Sequence, residues 1–486
     1  MLQTDVLNYG IAAAEIALAV GVCLVLVVDL FVRDKDRDIT YLLSLAVLAV
    51  TAWLVAPTGM DGREVTFYGS FVVDPMSRVL KLFSLLTVAV VFLYSRKYLK
   101  ERGLYKGEFF LLSLFALLGV FVLISANSLL TAFLGLELMS LSLYAMVAFN
   151  RDSPKAAEAA MKYFVLGAIA SGVLLYGMSI IYGVTGSLQF DEISTSLAAG
   201  QSNYLSVLLG LAFILVGVAF KLGAVPFHMW LPDVYEGAPT SVTLFIATVP
   251  KLAGFAMAVR LLVEAMAPVA ADWQSMMIVL ALLSLGVGNI VAIAQTNIKR
   301  MLAYSTIAHV GFILIGFIAG SPMGLAASLF YSIIYVLMSA AAFGCIILLG
   351  TKEAEADQLD SFKGLNERSP WLAVMMLLVM ASMIGIPPFA GFYAKWAVLS
   401  AIVERGEIWI AIVAVLFSVI GAFYYLRVIR MMYFDPPKRV STDSDELVPI
   451  VAGFDVKLVF SLNALALLAL GIFPNQLLAL CTAAFM

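Results

Sequence analysis

Long apolar runs alternate with short polar segments along almost the whole chain. Many runs hold enough residues for a helix to cross the roughly 30 Å hydrocarbon core of a bilayer. None shows the alternation of apolar and polar residues typical of a membrane β-barrel. The pattern therefore predicts an all-α polytopic membrane protein with about fourteen transmembrane helices. They lie near residues 8–32, 39–56, 75–96, 108–126, 128–149, 156–184, 203–232, 240–266, 273–296, 300–320, 323–350, 370–405, 407–433 and 456–482.

The composition agrees with that pattern. Hydrophobic residues make up 63% of the 486 residues and charged residues only 13%, against roughly 45–50% and 25% in soluble domains. The mean hydropathy is +1.02. A net charge of −3 gives no reason to expect nucleic acid as a partner. An ordinary soluble protein is excluded, and the lipid bilayer is the predicted environment.

The distribution of basic residues predicts the orientation. Loops after odd-numbered predicted helices hold most of them, for example Arg33, Lys100 and Lys352. Loops after even-numbered helices hold essentially Arg63 and Arg405. Because basic loops stay on the cytoplasmic side, both termini are predicted to lie outside.

The seventh predicted helix is interrupted by proline. Pro226 cannot donate a hydrogen bond to the carbonyl of Leu222, and Gly223 loosens the same turn. Unwound backbone at membrane depth is tolerated only where it is buried in protein or lines a wet cavity. The interruption therefore predicts a polar pathway. Pro250, in the eighth helix, is a further candidate break.

The twelfth predicted helix carries a second interruption. Pro387 and Pro388 leave the carbonyls of Met383 and Ile384 without their usual donors. Lys395 follows two turns later. This break also predicts a polar pathway, although a proline kink that only improves helix packing is the alternative for either helix.

The two interrupted helices are five positions apart. Because five is odd, five-helix units built around them have opposite orientations in the membrane, as inverted repeats of secondary transporters do. The spacing predicts four parts: an N-terminal three-helix segment at 1–107, a first antiporter-like repeat of helices 4–8 at 108–270, a second, inverted repeat of helices 9–13 at 271–435, and a C-terminal linker with helix 14 at 436–486.

Charged residues well inside apolar helices are the strongest functional signal. They are Glu137, Lys162, Lys221, Lys251 and Lys395. Each centrally placed charge costs about 2.5–3.5 kcal/mol on insertion, so retention of the whole set indicates a shared function. Buried amines lose their protons more readily than exposed ones, and a chain of them can pass protons. Snorkelling or a structural ion pair is the alternative for any single member.

The partner of Glu137 is open. Helix adjacency favours Lys162, because a glutamate and a lysine at close range offset part of each other's desolvation. Charges nearer helix ends, such as Lys81 and Arg260, are predicted to snorkel to the membrane interface.

The chain holds only two histidines, His228 and His309, and both fall in predicted membrane segments. Either can relay a proton, and a hydrogen-bonded packing role is the alternative. No acidic or cysteine residue stands at ligand spacing from them, so no metal site is predicted. The cysteines Cys23, Cys345 and Cys481 are too far apart in the sequence for a metal or disulfide motif.

Motifs for nucleotide binding, zinc hydrolysis and serine hydrolysis are absent from the sequence. Neither redox nor hydrolytic chemistry, and no cofactor, is therefore predicted for this chain alone.

Several stretches of the predicted helices are distinctive. They are LLTAFLGLELMSLSLYAMVAF, KYFVLGAIASGVLLYG, FKLGAVPFHMWLPDVYEGAPTSVTLFIATVPKLAGF, NIKRMLAYSTIAHVGF and GIPPFAGFYAKW. They resemble the antiporter-like membrane subunits of proton-pumping NADH-quinone oxidoreductase, complex I, over most of residues 75–435. The chain is most similar to the N-type subunits, because Lys395 stands where the M-type family has glutamate.

The resemblance implies roles for the buried charges. Glu137 and Lys221 would form the charge pair of the first half-channel, with Lys162 beside them. Lys251 would bridge the halves, and Lys395 would be the terminal lysine of the exit half. This implied pairing differs from the one that helix adjacency favours, and both stay open at this point.

The resemblance further implies a proton-translocating subunit in a bacterial cytoplasmic (inner) membrane, coupled to quinone reduction elsewhere. Flavin, iron–sulfur clusters and quinone would belong to partner subunits, with M-type and K-type subunits flanking this chain. The alternative is a subunit of a multi-subunit Na+/H+ antiporter of the same superfamily. A solute symporter is disfavoured, because cation coordination calls for carboxylates and carbonyls rather than lysines.

Overall fold

A computed structural model describes residues 7–59, 62–200, 203–352, 354–437 and 453–486. In these ranges 12 helices are long and apolar enough to cross a membrane. The prediction of an all-α polytopic membrane protein is confirmed. The total of fourteen helices and the inverted relation of the two repeats stay predictions, and most of the predicted C-terminal linker, at 438–452, lies outside the described residues.

The N-terminal segment begins with three long helices and a small hairpin. Its elements are α1 (Ala13–Asp29), α2 (Asp38–Val55), β1 (Glu64–Thr66), β2 (Phe71–Val73) and α3 (Pro75–Glu101). The antiparallel hairpin was not predicted, because its strands are only three residues long. Asp74 starts α3 by accepting a hydrogen bond from the Ser77 amide at 2.8 Å, which satisfies one of the free donors at a helix N-terminus.

The next segment contains the first interrupted helix. Its elements are α4 (Gly107–Ile124), α5 (Leu129–Val147), α6 (Pro154–Thr185), α7 (Phe190–Ala198), α8 (Tyr204–Leu222), α9 (Trp230–Gly237) and α10 (Thr240–Ala258), which continues as a π-helical turn over Val259–Ala265. The seventh predicted helix is thus two helices, α8 and α9. Pro250 does not interrupt α10, contrary to the prediction, because proline removes only one donor and the surrounding turns keep the helix intact.

The second half contains the other interrupted helix. Its elements are α11 (Ala270–Ile293), α12 (Ile298–Ala319), α13 (Pro322–Leu349), α14 (Leu365–Arg368), α15 (Pro370–Ile384), α16 (Ala390–Glu404) and α17 (Ile408–Tyr433). The twelfth predicted helix corresponds to α15 and α16. The predicted C-terminal helix is also divided, into α18 (Phe454–Ile472) and α19 (Pro474–Ala483).

Three helices form the centre of the bundle. Every residue of α10 is buried, as are almost all residues of α12 and most of α13. Helices that are apolar on all sides occupy such interior positions. By contrast, α6 and α17 expose large apolar side chains such as Ile169 and Val419 on the outside, as expected for helices that face lipid.

One end of the bundle is rich in basic residues. A polar cavity of about 380 Å³ opens there, lined in part by Arg102, Lys155, Lys299 and Lys352. We call this the basic end. It brings the N-terminus of α6 together with the junction of α9 and α10 and with the start of α12.

Candidate functional site

The first group of buried polar residues lies between α5, α6 and α8. Ser171 donates a hydrogen bond to Glu137 Oε1 at 2.5 Å, and Lys221 Nζ donates to Ser140 Oγ at 2.8 Å. Ser140 follows Glu137 by three residues, so both lie on one face of α5. Among the described residues Glu137 forms no direct ion pair. Ser140, Ser171 and Lys221 line one narrow cavity.

Lys162 does not lie buried beside Glu137, as helix adjacency favoured, but near the basic end of the bundle. Its side chain is 44% exposed, and its ammonium forms ion pairs at 2.9 Å with Glu158 and with Asp233 of α9. The physical reason is that α6 begins at Pro154, so Lys162 is only about two turns inside the helix. Lysine side chains also point toward the helix N-terminus, which here is the basic end.

Lys251 of α10 lies at the first helix break. Its Nζ donates to the carbonyl of Leu222, the last residue of α8, at 2.8 Å. Gly223 ends α8 in the left-handed conformation, with φ of +83°, which glycine adopts at little cost. The ring of Trp230 lies 5.5 Å from the ammonium. The carbonyl that Pro226 deprives of its donor is therefore satisfied by a lysine from the neighbouring helix.

Lys395 of α16 lies at the second break. Its Nζ donates to the carbonyls of Ile384 at 2.7 Å and Met383 at 3.3 Å, and to Ser418 Oγ at 2.8 Å. Gly385 ends α15 with φ of +87°. The carbonyls of Met383 and Ile384 are the two that the sequence predicted to lack donors. At both breaks, a buried ammonium thus binds unwound backbone, which partly offsets the cost of burying the charge.

His309 lies at the centre of a cluster of hydroxyl groups. Its Nδ1 is hydrogen-bonded to the hydroxyl of Tyr331 at 2.7 Å and its Nε2 to that of Tyr425 at 3.1 Å. Tyr425 also contacts Ser305 Oγ at 2.5 Å. His309, Tyr425 and Lys395 line one small cavity. Neither tyrosine was predicted from the sequence, because an aromatic residue in an apolar helix carries no signal of its hydroxyl partner.

His228 is separate from this cluster. It lies in the segment between α8 and α9 and is only half-buried. Tyr335, unlike His228, lies beside His309. The two rings are 5.4 Å apart, and the Tyr335 hydroxyl donates to Thr306 Oγ1 at 2.8 Å.

The snorkelling prediction is wrong for two charges near helix ends. Lys81 is buried and forms a 2.5 Å ion pair with Glu15 of α1. Arg260 is also buried and binds Asp74 at 2.7 Å and Glu264 at 2.5 Å. In both cases a carboxylate from inside the protein replaces water, so the basic group has no need to reach the interface.

Metal-ligating side chains do not cluster. In the part of the chain that the structure describes, no group of three or more His, Cys, Asp or Glu side chains could hold a metal ion. Cys23, Cys345 and Cys481 are free thiols.

Comparisons with known proteins show the family of the chain. Residues 126–421 match the family described as "NADH:quinone oxidoreductase/Mrp antiporter, TM". A relative from Thioalkalivibrio sulfidiphilus, named NADH-quinone oxidoreductase subunit N, is 57% identical over 463 residues, which cover 95% of each chain.

Solved structures share the fold. A chain of respiratory complex I from Thermus thermophilus superposes with a TM-score of 0.81 at 30% identity, covering 97% of this chain and 100% of that one. A chain of the Mrp complex from Dietzia sp. DQ12-45-1b has a TM-score of 0.85 at 21% identity, over 98% and 96% of the two chains, and shows the fold alone. The chain therefore belongs to the NADH:quinone oxidoreductase/Mrp antiporter family and, within it, to the N-type subunits.

Proposed function

We propose that this chain translocates protons across a bacterial cytoplasmic membrane as the N-type membrane-arm subunit of an NADH-quinone oxidoreductase. One observation carries the proposal: at each helix break a buried lysine, Lys251 or Lys395, binds the carbonyl that the break leaves free. Charged amines buried at membrane depth are costly, and they are therefore retained mainly where they serve ion movement. The similarity to relatives named NADH-quinone oxidoreductase subunit N supports NADH oxidation by quinone as the driving reaction.

The proposed pathway starts at Glu137 and Lys221. Lys221 directly precedes Leu222, whose carbonyl binds Lys251, so the two ammonium groups act on the same end of α8. Repulsion between two nearby ammonium groups disfavours their being charged together. Protonation of one lysine therefore favours proton release from the other.

The pathway continues across the centre of the bundle to the second half. Thr306 and Tyr335 supply hydroxyl groups beside His309, and His309 shares a cavity with Lys395. A hydroxyl group both donates and accepts hydrogen bonds and can therefore pass a proton along. The break carbonyls can bind only the donor groups of an amine. They favour the ammonium of Lys395 while it stays in contact, and movement away from them promotes release.

The redox chemistry belongs to other subunits in this proposal. Flavin, iron–sulfur clusters and quinone would be bound there, and M-type and K-type subunits would flank this chain. The termini would lie on the periplasmic side, with the basic end in the cytoplasm, because basic loops remain cytoplasmic.

Inside-out membrane vesicles test the function. NADH-driven proton uptake is measured for Lys221→Ala and Lys395→Ala variants, with the assembled complex quantified in the same vesicles. Uptake per complex should fall at least about tenfold, since each lysine is an obligatory proton carrier. Normal uptake in both assembled variants overturns the proposal. Sodium-driven proton movement without NADH, carried by a complex lacking redox subunits, would instead favour the Na+/H+ antiporter alternative.

A further inference from the structure

Asp233 joins three helices at the basic end. It lies on α9, directly after the first helix break. Its Oδ2 binds Lys162 of α6 at 2.9 Å, and its Oδ1 binds Arg300 of α12 at 2.7 Å. Each oxygen of one carboxylate thus holds a basic group from a different helix. Lys162 belongs to the first half of the chain and Arg300 to the second.

The contacts extend into a row of alternating charges. Arg300 also binds Glu236 at 3.1 Å, and Glu236 binds Lys155 at 3.1 Å. Asp233 and Glu236 are three residues apart and therefore share one face of α9. Lys155 and Lys162 are seven apart, about two turns on one face of α6. The two acids of α9 are therefore clamped between α6 and α12, with Arg300 in the middle.

The position of α9 matters for Lys251. Trp230, the first residue of α9, lies over the Lys251 ammonium at 5.5 Å. Its indole N–H donates to the carbonyl of Phe220 at 3.0 Å, and its ring stacks on Tyr163 at 4.5 Å. Tyr163 is the residue next to Lys162. A shift of α9 or of the Lys162 segment therefore changes the surroundings of Lys251.

Glu137 lies too far from Lys162 to be its resting partner, because it contacts a later part of α6. Glu137 is bound by Ser171, which follows Lys162 by nine residues. Nine residues of helix span about 13 Å, more than the four-carbon stem of lysine reaches. The carboxylate that Lys162 contacts is instead Asp233.

We propose that Asp233 is a positioning residue of the proton pathway: it holds Lys162 at the basic end and, through the ion pairs of α9 with α6 and α12, fixes the placement of Trp230 over Lys251. The inference rests on the proposed function and deepens it. Without the Asp233 carboxylate, the ion pairs that tie α9 to α6 and α12 are those of Glu236 alone. Trp230, at the start of α9, is then free to shift from its place over the Lys251 ammonium.

A double-mutant cycle tests this positioning role in the assembled complex. Asp233→Asn and Lys162→Met are each expected to lower NADH-driven proton uptake per complex by about fivefold, and the double variant by no more than either single variant, because both act through one contact. Asp233→Glu, which keeps the charge, should retain uptake within about twofold of the wild type. Asp360→Asn is the matched control, because Asp360 is an exposed carboxylate outside this cluster. Proton uptake by that variant should not change.

Two results overturn the inference. One is normal uptake by assembled Asp233→Asn, and the other is a double variant whose loss is the product of the single losses, as independent effects of the two residues predict. If Asp233→Asn does not assemble, Arg300→Gln replaces it. Arg300 binds both Asp233 and Glu236 through Nη1, and neutral glutamine forms neither ion pair, so uptake should fall by about threefold; unchanged uptake overturns the inference. Lys221→Ala and Lys395→Ala separate the two proposals: if both pump normally, the proposed function fails, whereas loss in these variants with normal Asp233→Asn uptake removes the positioning role of Asp233 alone.

Discussion

The ammonium of Lys395 donates to the carbonyl of Ile384 at 2.7 Å, across the break between α15 and α16. The lysine thus supplies the donor that the following prolines remove. This contact gives one side chain two roles, as a charge that can titrate and as a cap for the end of α15.

Lys395→Met and Lys395→Arg together separate those two roles. Methionine keeps the apolar stem but neither donates to Ile384 nor carries a proton, so proton uptake per complex should fall at least about tenfold. The variant should also lose about 1–3 kcal/mol of stability, because the freed carbonyls are left unpaired. Lys395→Arg keeps the cap and the charge but does not deprotonate. It should therefore assemble at the wild-type level and still fail to pump. Pumping by the arginine variant would show that Lys395 acts only as a cap.

Glu355 provides a pH-dependent contribution to stability. It lies in the loop after α13 and binds Lys299 Nζ at 3.0 Å, Thr240 Oγ1 at 2.5 Å and the Tyr98 hydroxyl. Although burial alone would raise its pKa, Lys299 and these donors lower it from 4.5 to about 2. The folded pKa is below the unfolded one, so the contribution is complete above about pH 4.5 and is lost as the pH falls toward 2.

The Glu355→Gln variant tests that contribution. It should lower the stability of the protein near neutral pH by about 3 kcal/mol, the equivalent of the pKa difference. Melting temperatures of the detergent-solubilised complex, measured between pH 7 and pH 3, should converge for wild type and variant as the pH falls. Glu367→Gln, at an exposed position of α14, is the control and should follow the wild-type curve. Parallel curves for Glu355→Gln and wild type would contradict the assignment.

Features set by local sequence patterns could be predicted from the sequence, whereas contacts between residues far apart in the chain could not. The fold class and the break carbonyl of Ile384 follow from local patterns of apolar residues and proline. The partners of Lys81 and Lys299 do not, because Glu15 and Glu355 lie more than fifty residues away in the sequence. The environment of a buried charge depends on which helices pack together, and that is a property of the tertiary structure.

Lys81 shows the consequence for a mutation. Its position near a helix end predicts an innocuous Lys81→Ala variant, whereas the buried ion pair with Glu15 predicts destabilisation. Removing one partner of a buried pair costs about 3–5 kcal/mol, because the other charge is left uncompensated. Lys81→Ala should reduce the amount of assembled complex, and Lys81→Met with Glu15→Leu should restore much of it. Proton uptake per assembled complex should stay normal in both variants. A selective loss of uptake would assign the pair to the pathway instead.

The orientation can be tested with single cysteines in a background without the native ones. Lys352→Cys places a thiol at an exposed position of the basic end, and Glu404→Cys places one at the exposed last residue of α16. A membrane-impermeant maleimide should label the first only in inside-out vesicles and the second only in right-side-out vesicles, because basic loops remain cytoplasmic. The reverse pattern at both sites would invert the proposed topology.

Glu137→Gln addresses the start of the proposed pathway. Glutamine keeps the size of Glu137 and can still accept the hydrogen bond from Ser171, but it removes the negative charge near Lys221. Opposite charges at short range favour the charged form of both groups, so the neutral side chain should leave Lys221 without its main electrostatic support. We expect proton uptake per complex to fall by about tenfold with normal assembly.

Ser171→Ala is the matched control for that variant. It removes the hydrogen-bond donor to Glu137 while the carboxylate stays charged, so it should lower uptake by no more than about fivefold, the equivalent of the roughly 1 kcal/mol that one hydrogen bond contributes. Both variants are measured as NADH-driven uptake in vesicles in which the complex has been quantified. A larger loss in Ser171→Ala than in Glu137→Gln would mean that the hydrogen bond, rather than the charge, is what the pathway requires. Equal and normal uptake in both would leave Glu137 a structural residue of α5 and move the first proton-carrying group to Lys221.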